Sequence, residues 1–413
     1  MKNKLFSSPI LWILLGFLSS YLLFFIIPVF LNPEHEMKFF AYIPAMDPIG
    51  IDLKQTIDYS KRLFIDHNEQ YIGFPPVAQL IFATFLKFSH SNAYFLIIII
   101  TLLSYFFISF GFPLLASKDR QISPVILLMC ITGLFSYGFQ FELERGQFNV
   151  IAMAFCLMSV YLYHYRHKLR YLAYLLFSLS IQFKLYPAIF VFAFIQNPRD
   201  WKKNLRRILM IGLFNISLLF VLGCKTAFSY LSFVIYDMMN PYVWIGNNSA
   251  MGFFLFLASK TPDKLAEYPS ILVLLARHPI MLQKLCLLFF IICFIVVLFF
   301  IWKNKLSGLN VYLLTICIIG TLIIPSKSMD YKLSILAGPL ALFFNSVAIR
   351  FKECGLTLLQ RFMMFVMSFS YCTTLFSYTN RPLLLKNSFP MLMILLTALI
   401  VFMCITERQS KIK

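Results

Sequence analysis

The chain has 413 residues, of which 60% are hydrophobic, 18% aromatic and only 13% charged. That balance excludes a water-soluble globular protein, in which about 25% of residues are charged, and predicts an all-α fold: a polytopic transmembrane helix bundle. The net charge of +19 would suit nucleic acid, but the basic residues gather in short connectors between apolar runs, "YRHKLR" (165–170), "RDWKKNLRR" (199–207), "WKNK" (302–305), "RFK" (350–352) and "RQSKIK" (408–413). Such loops are retained on the cytoplasmic side of a bilayer, so the partner is a membrane and not nucleic acid.

In chain order, apolar runs near the roughly 20 residues that a bilayer requires fall at 9–31, 93–116, 122–141, 147–164, 171–195, 207–223, 281–302, 309–324, 333–349, 357–379 and 388–405. Counting half-length pieces gives about 11–13 spans in a single domain, 1–413. The first run follows a basic start, "MKNK", and has no small-x-small cleavage site, which reads as a retained signal anchor with both chain termini cytoplasmic. With the basic loops inside, the other connectors face outward, above all a first outer loop (32–75) and a second (224–280).

The first outer loop carries Glu34, Glu36, Asp47, Asp52, Asp58, Asp66 and Glu69, seven of the 17 acidic residues, and is the natural place for a catalytic carboxylate. Between Ile51 and Phe64 its apolar residues mix with charges in the manner of an interfacial helix. On that helix Asp52 and Asp58 point to different sides, so only one of them can face a buried site. Residues 76–88 are too short to cross comfortably and read as a tilted or re-entrant segment. Next comes "FELERGQFNV" (141–150), five polar or charged groups between two apolar runs. Glu142 reads as part of an exposed turn with an Arg and a Glu paired. Arg145, Gln147 and Asn149 read as functional, because polar groups at membrane depth turn to a bundle interior or a cavity.

The run 171–195 has basic loops at both ends, which one straight crossing cannot satisfy. Two half-helices meeting at Lys184-Leu185-Tyr186-Pro187 resolve it, since Pro187 lacks a backbone donor. Lys184 then stands at the outer boundary, where it either snorkels to water or meets an anion. "IGNNSAMGFF" (245–254) adds Asn248 and Ser249, and "PSKSMDYK" (325–332) adds Asp330, Tyr331 and Lys332 as possible substrate-binding groups. The Asn247-Asn248-Ser249 glycosylation sequon is discounted. The nine cysteines lie mostly inside apolar runs without CxxC spacing, and the six histidines are scattered, so no disulfide framework or metal cage is indicated; a need for a divalent metal stays open, and no cofactor is expected.

Taken in order, "GID" (50–52), "FPP" (74–76), "RGQFN" (145–149), "KLYP" (184–187) and "NNS" (247–249) resemble the pattern of the family-87 glycosyltransferases, polyprenyl-phosphate-mannose-dependent enzymes of the GT-C superfamily. The resemblance covers roughly residues 1–260. Leu53, Phe74 and Asn248 stand where an aromatic residue, a Tyr and a Gln are common in the family. It implies inverting transfer of a hexose, mannose above all, from a polyprenyl-phosphate-linked sugar donor to a lipid or glycan acceptor at the outer face of the cytoplasmic membrane. Asp52 would then be the catalytic base, with Arg145 and Lys184 holding the departing phosphate and Gln147 and Asn149 orienting a phosphate or sugar hydroxyl. The alternatives are a flippase or transporter for lipid-linked sugars, against which no internal repeat is found, and a polysaccharide polymerase or ligase, against which the single Arg277 of the second outer loop argues.

Overall fold

A computed structural model of the chain describes residues 8–31, 49–66, 73–117, 119–197, 199–259, 277–306, 308–352, 355–376 and 383–412. Of the acidic residues in the first outer loop, Glu34, Glu36, Asp47 and Glu69 lie outside these segments. Among the described residues the fold is all-α, with one isolated β-bridge between Asn247 and Met329.

The helices are α1 (Pro9–Tyr21, continued to Leu31), α2 (Ile51–Phe64), α3 (Pro76–Ala83), α4 (His90–Phe106, continued to Ala116), α5 (Pro124–Leu134), α6 (Tyr137–Arg145), α7 (Asn149–Tyr165), α8 (Arg170–Phe183), α9 (Trp201–Leu219), α10 (Cys224–Met239), α11 (Ala250–Ser259), α12 (Pro279–Lys303), α13 (Val311–Ile323), α14 (Ala337–Arg350), α15 (Leu358–Thr374) and α16 (Phe389–Ile412). Their starts follow local chemistry. Ser89, Ser123, Ser136 and Asn310 each accept a hydrogen bond from an amide in the first turn of α4, α5, α6 and α13, and Thr357 with Gln360 forms a capping box on α15. Such caps matter more in a bilayer, where no water stands ready for an orphaned amide.

Among the described residues, His90–Ala116, Pro279–Lys303, Asp330–Arg350 and Phe389–Glu407 are long and apolar enough to cross a membrane unaided, and counting each bent pair as one span raises four to six. The other apolar runs are shorter helices. Every residue of α13 after Val311 is buried, so protein and not lipid surrounds it and its length need not match the bilayer. Interior crossings are joined by side-chain hydrogen bonds, Ser20 to Thr373 at 2.9 Å, Asn215 to Ser178 at 3.0 Å and Asn345 to Ser117 at 2.8 Å, each worth about 0.6 kcal/mol in a membrane interior.

Several expectations change in detail. The run 122–141 is a pair, α5 and α6, bent by 50°, and Glu142, Glu144 and Arg145 belong to the last turn of α6 instead of a loop. The second outer loop contains α10 and α11, and α10 leaves α9 at 109°. Residues 76–88 form α3 and a 3-10 turn, Thr84–Lys87. The break at Lys184 is present: α8 ends at Phe183, Lys184 is extended (φ −151°, ψ 135°), and a 3-10 helix, Tyr186–Phe194, follows. Pro187 cannot donate to the carbonyl of Phe183, and its ring would collide with it in a continuous helix.

Two ends of the bundle result. At one, Gly308 donates to the carbonyl of Gln196 (3.3 Å), Arg170 donates to the Gln196 side chain (3.1 Å), and Lys303 pairs with Glu407 (3.3 Å); this is the end of the basic connectors. At the other meet the start of α2, the end of α6, the start of α7, the break at Lys184 and the turn before α14.

Candidate active site

The site begins as a backbone junction. Gly50, the residue before α2, donates its amide to the carbonyl of Glu144 at 2.8 Å. Gly50 (φ +76°) and Gly146 (φ +64°) both adopt the left-handed conformation that only glycine takes cheaply. A Cβ on Gly146 would lie 3.0 Å from the Cβ of Leu53 and 3.3 Å from the Cα of Gly50, and one on Gly50 would strike the Tyr94 ring at 2.5 Å. The Tyr94 hydroxyl ties the same place down by donating to the Leu143 carbonyl at 3.0 Å. The "GID" and "RGQFN" segments are therefore two halves of one joint.

That joint sets Asp52, in the first turn of α2, against Arg145, the last residue of α6. Arg145 binds the carboxylate in a fork, Nε to Oδ2 at 3.0 Å and Nη2 to Oδ1 at 2.6 Å, and the Gln147 amide donates to Oδ2 at 2.5 Å. Charge-assisted bidentate pairs of this kind fix orientation as well as adding energy. The Gln147 carbonyl oxygen accepts in turn from Lys184 Nζ (3.2 Å) and from the Asn149 amide (3.4 Å). A continuous path thus runs from the carboxylate of Asp52 through one amide to the ammonium of Lys184.

Beneath this path lies Glu142, which corrects the expectation of an exposed turn. Its side chain is fully buried. Oε2 accepts from the Asn149 amide at 3.0 Å and Oε1 from the backbone N–H of Val150 at 2.9 Å. A carboxylate at the positive end of a helix is favoured by the exposed amides there, so Glu142 holds the start of α7 in place. Arg145 pairs with Asp52, 93 positions away, which local sequence could not reveal.

Lys184 faces aromatic rings as well, with Nζ 4.3 Å from the centroid of Phe148 and 5.1 Å from that of Phe74. Lys332 Nζ lies 5.4 Å from the centre of the Tyr186 ring and donates to the Lys327 carbonyl at 2.5 Å. The Tyr186 hydroxyl donates to the Asn149 carbonyl at 2.7 Å. Lys327 forms an ion pair with Asp237 of α10.

These groups border a polar cavity of about 770 Å³, lined among others by Asp52, Tyr59, Arg145, Gln147, Lys184, Asp237, Trp244, Lys327, Tyr331 and Lys332. Four cations (Arg145, Lys184, Lys327, Lys332) face two carboxylates (Asp52, Asp237) there, an excess that suits an anion. A second, mostly apolar cavity of about 460 Å³ adjoins it, lined by Phe183, Ile189, Tyr230, Phe233, Val234, Met238 and Ile324. Lys184, Lys327, Lys332 and Asp237 border both cavities.

The other sequence candidates fall elsewhere. Asp58 is exposed on α2 and does not line the cavity. Asn149 sits one layer beneath it. Asn248, Ser249 and Asp330 are buried in a knot that joins three segments: Asn248 donates to Asp330 Oδ1 (2.8 Å) and accepts from the Ser388 amide (2.8 Å), while Ser249 donates to the Ser326 carbonyl (3.1 Å). The neighbouring Asn247 is also fully buried and bonds the Tyr242 and Ser326 carbonyls and the Ser328 amide, which removes the sequon from any glycan. Sequence reasoning missed Asp237 and Lys327. The signal was there for Asp237, the one acidic residue between Asp200 and Asp263, set inside an apolar run. Among the described residues no three His, Cys, Asp or Glu side chains come together as a metal cluster.

The all-α bundle, with helices long and apolar enough to cross a membrane and a cationic cavity beside an apolar one, has the make-up of a multi-pass membrane protein. Residues 71–325 match the profile described as glycosyltransferase family 87. The match spans more than half of the chain, and the protein belongs to glycosyltransferase family 87 and is a membrane glycosyltransferase. It includes Arg145, Gln147, Lys184 and Asp237, and stops short of Asp52 on one side and of Lys327 and Lys332 on the other. No curated protein matches the chain.

Proposed function

We propose that the protein transfers a hexose, mannose in the first instance, from a polyprenyl-phosphate donor to a lipid or glycan acceptor, with inversion at the anomeric carbon. The observation that carries this reading is the shared border of the two cavities, where Lys184, Lys327 and Lys332 stand between polar and apolar space. A lipid-linked phosphosugar has the same division: a prenyl chain for the apolar cavity, a phosphate for the lysines, a sugar for the polar cavity. The basic connectors at the opposite end support an orientation in which this end of a single domain, 1–413, faces outward from the cytoplasmic membrane, with both termini inside.

Asp52 serves as the general base. Arg145 and Gln147 occupy both lone pairs of Oδ2 and one of Oδ1, and a carboxylate offers about four such sites. Oδ1 therefore has one left for the acceptor hydroxyl. As the acceptor oxygen attacks the anomeric carbon, its proton passes to Asp52, and the electron pair of the breaking carbon–oxygen bond leaves with the phosphate. Arg145 and Lys184 stabilise the charge that accumulates there.

The test is a panel of polyprenyl-phosphate sugars offered to the purified protein in lipid nanodiscs, with released polyprenyl phosphate and product mass as readouts. A product whose mass rises by one hexose only with the mannose-carrying donor supports the reading. Movement of a lipid-linked sugar across vesicles without a new glycosidic bond would overturn it.

A further inference from the structure

Lys327 differs from the other two lysines at the cavity border. Lys184 is held by an amide oxygen and Lys332 by a backbone carbonyl, both neutral, whereas Lys327 is held by the carboxylate of Asp237. The pair is partly open to solvent, with side-chain exposures of 38% for Lys327 and 25% for Asp237, so its net attraction is weak and exchangeable. The backbone around Lys327 is not. The Ser326 carbonyl accepts from Asn247 (3.0 Å) and Ser249 (3.1 Å), and the Ser328 amide donates to Asn247 (2.8 Å). A partly exposed ammonium therefore hangs on a fixed main chain, between the polar and apolar cavities.

We infer that Asp237 is a stand-in for the donor's phosphate: in the resting protein it neutralises Lys327, and on arrival of a lipid phosphate Lys327 changes partner, joining Lys184 and Lys332 around the anion. The exchange makes Lys327 a ligand-binding residue and Asp237 its competitor. The inference rests on the lipid-phosphate part of the reading above, and not on sugar transfer. It explains why a second carboxylate, apart from Asp52, stands beside the three lysines of the cavity border: a lipid phosphate gains from Lys327 only after the competing carboxylate is displaced, and an uncharged lipid gains nothing.

The exchange predicts effects of opposite sign, where a merely structural ion pair predicts the same sign for both partners. Binding of farnesyl phosphate to the full-length protein in nanodiscs is titrated by native mass spectrometry, with farnesol and inorganic phosphate as parallel probes. Lys327→Met is expected to weaken farnesyl phosphate by tenfold or more. Asp237→Asn is expected to tighten it three- to tenfold, and the double variant should behave like Lys327→Met. Thermal unfolding of each variant checks that the folded fraction is equal, and Lys327→Arg, which keeps the charge, should retain most of the binding. Weakening by both single variants would overturn the exchange, as would equal binding of farnesol and farnesyl phosphate by the unaltered protein. If the opposite signs are found and the sugar panel yields no product, the exchange stands and glycosyl transfer from such donors falls.

Discussion

Two polar networks lie at the same end of the bundle and are built differently. Around Asp52, charged side chains bond to one another and keep an open edge, with exposures of 13% for Asp52 and 21% for Arg145. Around Asn247 the side chains are fully buried and bond largely to backbone groups from three separate segments. The first network is partly open, so on the proposed reading it can exchange a partner for a substrate. The second cannot without leaving amides and carbonyls unpaired, so it acts as scaffold for the turn that carries Lys327, Tyr331 and Lys332. Amides inside the membrane region are thus no sign of a binding site by themselves; what they bond to decides.

Substitutions sharpen that contrast. Asp52→Asn keeps the side chain's size but removes the proposed base and turns one oxygen that accepts from Arg145 or Gln147 into an N–H donor; it should lower kcat by about 10³-fold or more, the general-base contribution being of order 10²–10⁴, with a modest fall in unfolding temperature from the lost charged hydrogen bonds. Full activity of this variant would remove Asp52 from the mechanism. Arg145→Lys loses the fork that grips both carboxylate oxygens; a loss of about 10- to 100-fold in kcat/KM is expected, from roughly 1.5–3 kcal/mol per charged hydrogen bond. For the scaffold the readout is different. Asn247→Ala strands buried backbone groups at about 1–3 kcal/mol each, so the unfolding temperature should drop while KM per folded molecule is retained. A raised KM with unchanged stability would move Asn247 from scaffold to site. The smallest effect is expected at Asp58, exposed and remote from the cavity: Asp58→Asn should leave both stability and turnover within a factor of two, the usual range of about ±0.5 kcal/mol for surface changes.

Much of the fold was legible before any coordinates. The all-α class, the helix over 51–64 and the break between Lys184 and Pro187 follow from composition, mixed periodicity and a missing proline N–H, and each depends on residues close together in the chain. Sidedness within α2 was legible too, since 100° per residue separates Asp52 from Asp58. Even so, the face that α2 packs against the protein runs through Leu53, Thr56 and Ser60, and Ser60 donates to the Gln79 side chain at 2.7 Å, a polar seam that an apolar count overlooks. Glu142 was misread for the same reason. A carboxylate between apolar runs reads as exposed until the start of α7 is seen to supply its hydrogen-bond donors.

The sequence by itself determined that the chain is an all-α membrane bundle, and it set out as expectations which connectors share a side and that Arg145 and Gln147 turn to a bundle interior or cavity, with Lys184 left between snorkelling to water and meeting an anion. Those are properties of residue type and near spacing, where the cost of placing charge in hydrocarbon admits few solutions. Only the tertiary structure decided that Asp52 meets Arg145, that Asp237 meets Lys327, that Asn247 and Asn248 serve the backbone, and that a polar and an apolar cavity share a wall of lysines. Those pairings join residues some 80 to 140 positions apart, and they depend on how helices bend and cross, which local spacing does not encode.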